Sequence, residues 1–187
     1  MAKQAPGSLG LVQDFVNTLD TEEAKDDLAT PEALRAWLTG RELLSGGSLT
    51  AADQASAVRL REALRRLLAA NNDGSTPPEA DLALLNEVAV ACRLHPRFEP
   101  GPSVRLEPSA EGLPGALGRV AAAAAEAMND GTWHRLKVCA DDRCQWAFYD
   151  QSKNRSGHWC SMEVCGNRTK ARQFRERRRA GASRRDG

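Results

Sequence analysis

The stretch CADDRCQWAFYDQSKNRSGHWCSMEVCGNRTKAR, residues 139–172, holds four of the chain's five cysteines in two equal brackets. Cys139-x4-Cys144 and Cys160-x4-Cys165 are separated by fifteen residues. Two close thiol pairs joined by a short loop can converge on one tetrahedral ion. Zinc suits that site, because it accepts four thiolates and needs no redox partner. Disulfides are the competing reading, and they belong to oxidising compartments. The opening stretch MAKQAPGSLGLVQDFV (1–16) lacks the sustained apolar run and cleavage site of an export signal. No apolar run approaches the ~18 residues needed to cross a bilayer. A cytoplasmic protein with reduced, metal-binding thiols is therefore expected, with one Zn2+ on Cys139, Cys144, Cys160 and Cys165. With all four positions filled by protein the site is closed, hence structural; catalytic zinc keeps a position for water. His158, two residues before Cys160, is expected to face solvent or phosphate rather than to ligate.

Working outward, the charge divides. The net charge of +1 conceals 14 basic and 7 acidic residues over 130–187, against 12 basic and 18 acidic residues before them. An acidic body thus carries a basic module, and basic modules seek phosphate. At 41% apolar and 27% charged the chain is globular rather than disordered.

Upstream of the cysteines the pattern is mostly helical. Val12, Phe15, Val16 and Leu19 recur at helical spacing. Thr30-Pro31 reads as an N-cap and first helical position, followed by Leu34, Trp37 and Leu38, with Gly40 as the stop. Thr50-x-x-Asp53 reads as a capping start to the stripe Leu60, Leu64, Leu67, Leu68, stopped by Asn71-Asn72-Asp73-Gly74. Pro77-Pro78 opens a helix with Leu82, Leu85, Ala89 and Cys92 inward, which makes Cys92 a buried inert thiol. Residues 97–108 break the pattern and read as a short hairpin around Pro-Gly-Pro. Leu117 to Met128 returns to helix. The expected fold is a mainly α N-terminal domain with a short β-hairpin, plus a small C-terminal treble-clef-like zinc finger (α+β). The expected boundaries are 1–130 for the helical domain, 131–180 for the finger with its basic C-terminal helix, and 181–187 for a disordered tail.

In the finger, Leu136-Lys137-Val138 leads as a strand into a knuckle at Asp141-Asp142-Arg143, and a second strand surrounds Trp146 and Phe148. Trp133 and Trp146 are expected to pack around the metal. Trp159, which follows a basic loop, fits base stacking. Beyond Cys165, Arg168, Arg172, Arg175 and Arg179 recur at steps of four, three and four, which places them on one helix face. Such like charges repel unless an anion neutralises them. Lys170 widens the positive field, and Lys153 and Arg155 would add phosphate contacts from the loop. About six phosphates neutralised gives a slope of log K against log salt of roughly −5. Asn167, or an arginine near the helix start, is the candidate to reach base edges in the major groove.

These residues resemble a known family. WCSMEVCGNRTKARQFRERR (159–178), preceded by C-x4-C-x-W-x-F-Y-D (139–150), resembles the bacterial CGNR zinc finger. LGLVQDFVNTLD (9–20), T-P-x-x-L-x-x-W-L (30–38) and L-R-E-A-L-R-R-L (60–67) resemble the ABATE domain that usually precedes it. The resemblance implies a stress-related transcription regulator whose C-terminal domain binds zinc and nucleic acid, with the four cysteines as ligands. This chain departs from the family's more arginine-rich loop, having Lys153, Gly157 and His158 there.

Two function classes compete. In one, the finger binds DNA while the helical body senses a small-molecule effector or forms a homodimer. In the other, zinc staples a surface that docks a protein or RNA, without sequence-specific DNA binding. An enzyme is not expected: there is no Gly-rich phosphate loop and no nucleophile–base grouping, and His95 and His134 stand alone. The acidic cluster around Asp14, Asn17, Thr18 and Asp20 reads as capping and solvation.

Overall fold

The computed structural model describes residues 3–101 and 103–183, with side chains through Arg177. The side chain of Arg179, and residues 184–187 of the expected tail, lie outside that description. In chain order the elements are α1 (Leu9–Val16), β1 (Leu19–Asp20), β2 (Lys25–Asp26), α2 (Pro31–Thr39), α3 (Ala51–Ala70) and α4 (Glu79–Ala91). There follow β3 (Leu94–Phe98), β4 (Val104–Pro108), α5 (Gly112–Asp130), β5 (Leu136–Val138), β6 (Ala147–Tyr149) and α6 (Asn167–Ser183). The three strand pairs β1–β2, β3–β4 and β5–β6 are separate antiparallel hairpins, not one sheet. The expected α+β class is found, a largely helical body with a cysteine cluster at its C-terminal end.

Local chemistry sets the helix ends where the sequence puts them. Thr30 accepts the Ala33 N–H at 3.2 Å, and Pro31 opens α2. Thr50 and Asp53 form a reciprocal capping box at the start of α3, a device worth about 1 kcal/mol. Helix α5 ends at Gly131, whose φ of +80° is the left-handed conformation that glycine adopts without strain. It begins at Gly112, five residues before the expected start, because Pro114 fits the first turn of a helix.

Helix α4 differs from its sequence reading. Leu82 is exposed, and the buried residue is Asp81, gripped by Arg66 through two hydrogen bonds of 2.9 and 2.6 Å. The helix is apolar on several sides, so its hydrophobic residues alone do not fix its rotation. The ion pair to α3 does. Cys92, just beyond α4, is fully buried, and burial pushes its thiol up, as an inert core cysteine requires.

One hydrophobic core joins the helical body to the β5–β6 hairpin, and the cysteines form a second, separate cluster. Phe15 and Val16 of α1, Leu64 and Leu68 of α3, and Val120 and Ala124 of α5 are buried together with Trp133, Leu136, Val138 and Ala147. The small side chains of Ala123 and Ala124 let α1 approach α5 closely. Trp133 therefore packs in the body's core, not around the cysteines as expected. The strands β5 and β6 belong to the zinc-finger sequence but sit in the core of the helical body.

Polar clamps fasten the join. The Asn17 amide takes both backbone groups of Ala147, at 2.7 and 2.9 Å. Asn71 donates to the carbonyls of Trp133 and Leu136, and Asn72 to Val138. Buried Arg65 bridges the carbonyls of Val16 and Gln145, at 2.8 and 2.7 Å. The Asn-Asn pair that stops α3 thus also supplies a hydrogen-bonding edge to β5.

Because the hairpin and helices share a core, Leu136→Ala is expected to cost ~2–5 kcal/mol, the range for a fully buried leucine. The denaturant midpoints of the helical circular-dichroism signal and of tryptophan fluorescence should fall together. A helical signal left unmoved by this substitution would mean that the hairpin belongs to an independent module.

Candidate metal centre and basic helix

The first cysteine bracket is a tight turn between β5 and β6. The Cys144 and Gln145 N–H groups both donate to the Asp141 carbonyl, and Cys139 N–H donates to Trp146. The second bracket is shaped by Ser161, whose hydroxyl accepts the Val164 N–H at 3.3 Å. Its carbonyl accepts Gly166 N–H, closing a π-helical turn over Met162–Gly166 that runs into α6. Local hydrogen bonds therefore help to aim the cysteines of both brackets at one point.

The four sulfurs meet. All lie within 4.8 Å of one another, with Cys144–Cys160 and Cys160–Cys165 at 3.6 Å. No disulfide links the five cysteines. A zinc tetrahedron with Zn–S bonds of ~2.3 Å has sulfur–sulfur edges of about 3.8 Å, so the donor set fits one zinc ion. Trp146 and Trp159 pack against the sulfurs. His158 is exposed outside the cluster, its ring 5.7 Å from that of Trp159. Trp159 is partly buried, with its indole nitrogen buried and unpartnered, so it covers the thiols rather than offering an open stacking face.

Electrostatics make the same demand. The thiols of Cys144 and Cys160 donate toward Cys139 and hold it far below the ordinary thiol range. Donation to Cys139 and burial push Cys144 and Cys160 up, and burial pushes Cys165 up. Four thiols this close and this buried resist ionising together, and a bound dication would favour the thiolate form of each.

Around the sulfurs lies a carboxylate–guanidinium network that sequence reading missed. Asp141, fully buried inside the first bracket, receives Arg168 Nε at 2.5 Å and Arg172 Nη1 at 3.6 Å. Burial would raise the Asp141 carboxyl, but the Arg168 hydrogen bond, the Arg143 N–H and the charges of both arginines together outweigh it and hold the group below the usual carboxylate range. Arg168 also pairs with Glu22 in the turn between β1 and β2, and points Nη2 at Cys165 Sγ, 3.5 Å away. Thr21, beside Glu22, donates to the carbonyls of Arg143 and Cys144. Two of the four arginines of the expected stripe are thus matched by the protein's own acids.

The remaining candidate residues stand as follows. Asn167 is exposed and turns its amide onto the Glu163 carbonyl at 3.0 Å. Lys170 and Arg175 are exposed on α6 and make no ion pair among the described residues. Lys153 and Arg155 are exposed on the 151–157 loop. That loop is held from below by Lys137, whose Nζ reaches Asp150 at 3.1 Å and the carbonyls of Arg155 and Gly157. Gly157 is required there, since a Cβ would lie 2.8 Å from the Asp150 carboxyl carbon. A lysine in a three-residue strand gives no sign of burial. The missed clue was Asp150 and Gly157 flanking the loop.

Comparison with known families agrees with this geometry. Residues 9–131 match the ABATE family model, described as "Putative stress-induced transcription regulator". The chain belongs to the ABATE family. Residues 135–178 match the model of the CGNR zinc finger, which contains all four cysteines of the cluster. No curated protein matches the chain. In this ABATE-family chain the two matched segments meet at Glu22–Arg168 and Asn17–Ala147.

Metal analysis of the reduced ABATE-family chain is expected to give about one zinc per molecule, falling toward none in Cys144→Ser. Stoichiometric disulfides in place of metal would refute the site. A second test concerns the loop anchor. Burial would raise the Asp150 carboxyl, but donation from Ser152, Gly157 and Lys137 holds it down at about 2. Its stabilising contribution is thus full above the unfolded carboxylate value near ~4 and is lost as pH falls toward ~2. Asp150→Asn leaves Lys137 buried without a counter-charge and should cost about 3–5 kcal/mol at neutral pH. The stability gap between wild type and variant, from denaturant titrations, should narrow as the solution is acidified.

Proposed function

We propose that this ABATE-family chain is a non-enzymatic, zinc-dependent nucleic-acid-binding protein, a DNA-binding transcription regulator acting in the cytoplasm. In this proposal the helical body senses a signal or dimerises. The observation that carries it is the position of α6. The helix leaves the metal centre packed against the Met162–Gly166 turn, and beyond Thr169 it presents Lys170, Arg175 and Arg177 to solvent. None of these three has an acidic partner among the described residues.

The arginines of α6 divide by role. Arg168 and Arg172 orient the helix by reaching back to Asp141. Lys170 and Arg175, with Lys153 and Arg155 from the anchored loop, are left to meet phosphates, while Arg177, its Nε turned onto the Gln173 carbonyl, widens the positive field. Zinc fixes the start of the helix through Cys165, and the Asp141–Arg168 pair fixes its direction. An exposed helix of this width suits the major groove of duplex DNA. Docking to RNA or to a protein remains the competing outcome of the test.

The experiment is a salt titration of binding by the zinc-loaded chain to duplex DNA. Four phosphate contacts predict a slope of log K against log salt of about −3.6, shallower than six would give. Replacing Lys170 and Arg175 together by alanine should reduce the slope by about 2. Zinc content and thermal stability should not change, since neither residue contributes to the fold's ion pairs. Salt-insensitive binding, or none, would overturn the proposal. Binding to single-stranded RNA but not to duplex DNA would move the function to RNA.

A further inference from the structure

A cavity of ≈ 500 Å3 opens where the helical body meets the finger. Its walls include Asp14 of α1, Asp27 after β2, Trp37 of α2 and Trp146 between Cys144 and β6. Arg41 enters it from the end of α2. Its guanidinium carbon sits 4.0 Å from the Trp37 ring centroid, and one nitrogen lies 3.7 Å from Asp14.

Two indoles and two carboxylates around one space are the chemistry that recognises an organic cation. Ring faces attract a positive charge, and Asp14 neutralises it once it is partly desolvated, while Asp27 already pairs with Lys25 at 3.1 Å. Arg41 already demonstrates this, since it is the chain's own cation on the chain's own aromatic face. Its hold is weak. The side chain is 37% exposed, and its one ion pair is long and solvent-screened. The Trp37 ring, by contrast, is fixed against Phe15 at 5.5 Å and is almost wholly buried. The aromatic wall at Trp37 is packed into the core, whereas Arg41 reaches solvent. Gln4, which also lines the cavity, donates to Asp14 at 3.1 Å and so positions the carboxylate.

We propose that this cavity binds a small organic cation with a compact apolar body, such as a quaternary ammonium or substituted guanidinium, and that Arg41 is an internal placeholder that the ligand displaces. A guest lying across Trp37 and Trp146 touches the helical body and the cover of the thiol cluster at once. The proposal rests on the cavity and not on nucleic-acid binding, and its test reads ligand binding alone.

The test uses the full zinc-loaded chain with benzyltrimethylammonium as probe, and benzyl alcohol as an uncharged control of similar apolar body. Binding is followed by calorimetry and by tryptophan quenching. Arg41→Ala removes the competitor, so the probe should bind at least about fivefold more tightly than to wild type. Adding Asp14→Asn to that variant should weaken binding by about fivefold. Both positions are on the surface, and an unchanged melting temperature will show that the fold is intact. The proposal fails if Arg41→Ala leaves affinity unchanged or lowers it, if benzyl alcohol binds as well as the cation, or if no protein binds the probe.

Discussion

Cys139, Cys144, Cys160 and Cys165 place four sulfurs within 4.8 Å of one another, and such a cluster carries four negative charges only around a dication. Everything at the C-terminal end is built on that condition. The metal joins a turn between two strands to the π-helical turn that starts α6. Ser161, the packing of Trp159 and the Ala140 N–H bond to the His158 carbonyl support the second bracket beside it. The neighbours are arranged to suit a charged centre. Arg168 supplies a positive group beside Cys165, and Asp141 keeps that arginine in place from inside the first bracket.

The same cluster is welded to the helical body. Strands β5 and β6 bury Leu136, Val138 and Ala147 in the core that Phe15 and Leu64 occupy. Asn17, Asn71, Asn72 and Arg65 fill backbone hydrogen bonds that a free two-stranded hairpin would leave to water. A pair of three-residue strands is marginal alone, and the helices supply what it lacks. Glu22 extends the weld to α6 through Arg168. The direction of the basic helix is thus tied to the acidic body through the Glu22–Arg168 pair.

Much of this was legible in the sequence. The thiol brackets announced the metal because four donors at that spacing have few other uses in reduced surroundings. Thr30-Pro31 and Thr50-x-x-Asp53 announced α2 and α3 because caps act within one turn. The Pro-Gly-Pro segment announced β3–β4 because it forces the chain to reverse. The arginine periodicity correctly announced a helix but not its chemistry. Spacing places Arg168 and Arg172 on one face and says nothing of Asp141 and Glu22, the first 27 residues away and the second 146. Trp133 was read as a neighbour of the metal because it is close in sequence, and the chain turns it into the core instead.

By itself the sequence determined what acts locally: helix caps, turn positions, the thiol quartet and the sign of each segment's charge. Only tertiary structure decided which charges were spent and which were left over. It buried Lys137 on Asp150, matched Asp81 to Arg66 and turned two arginines of the stripe inward. It also brought Trp37, Trp146 and Arg41 around one cavity. The physical reason is range. Capping and metal-ligand spacing are fixed within a few residues along the chain, whereas desolvation and ion pairing depend on what folding brings alongside.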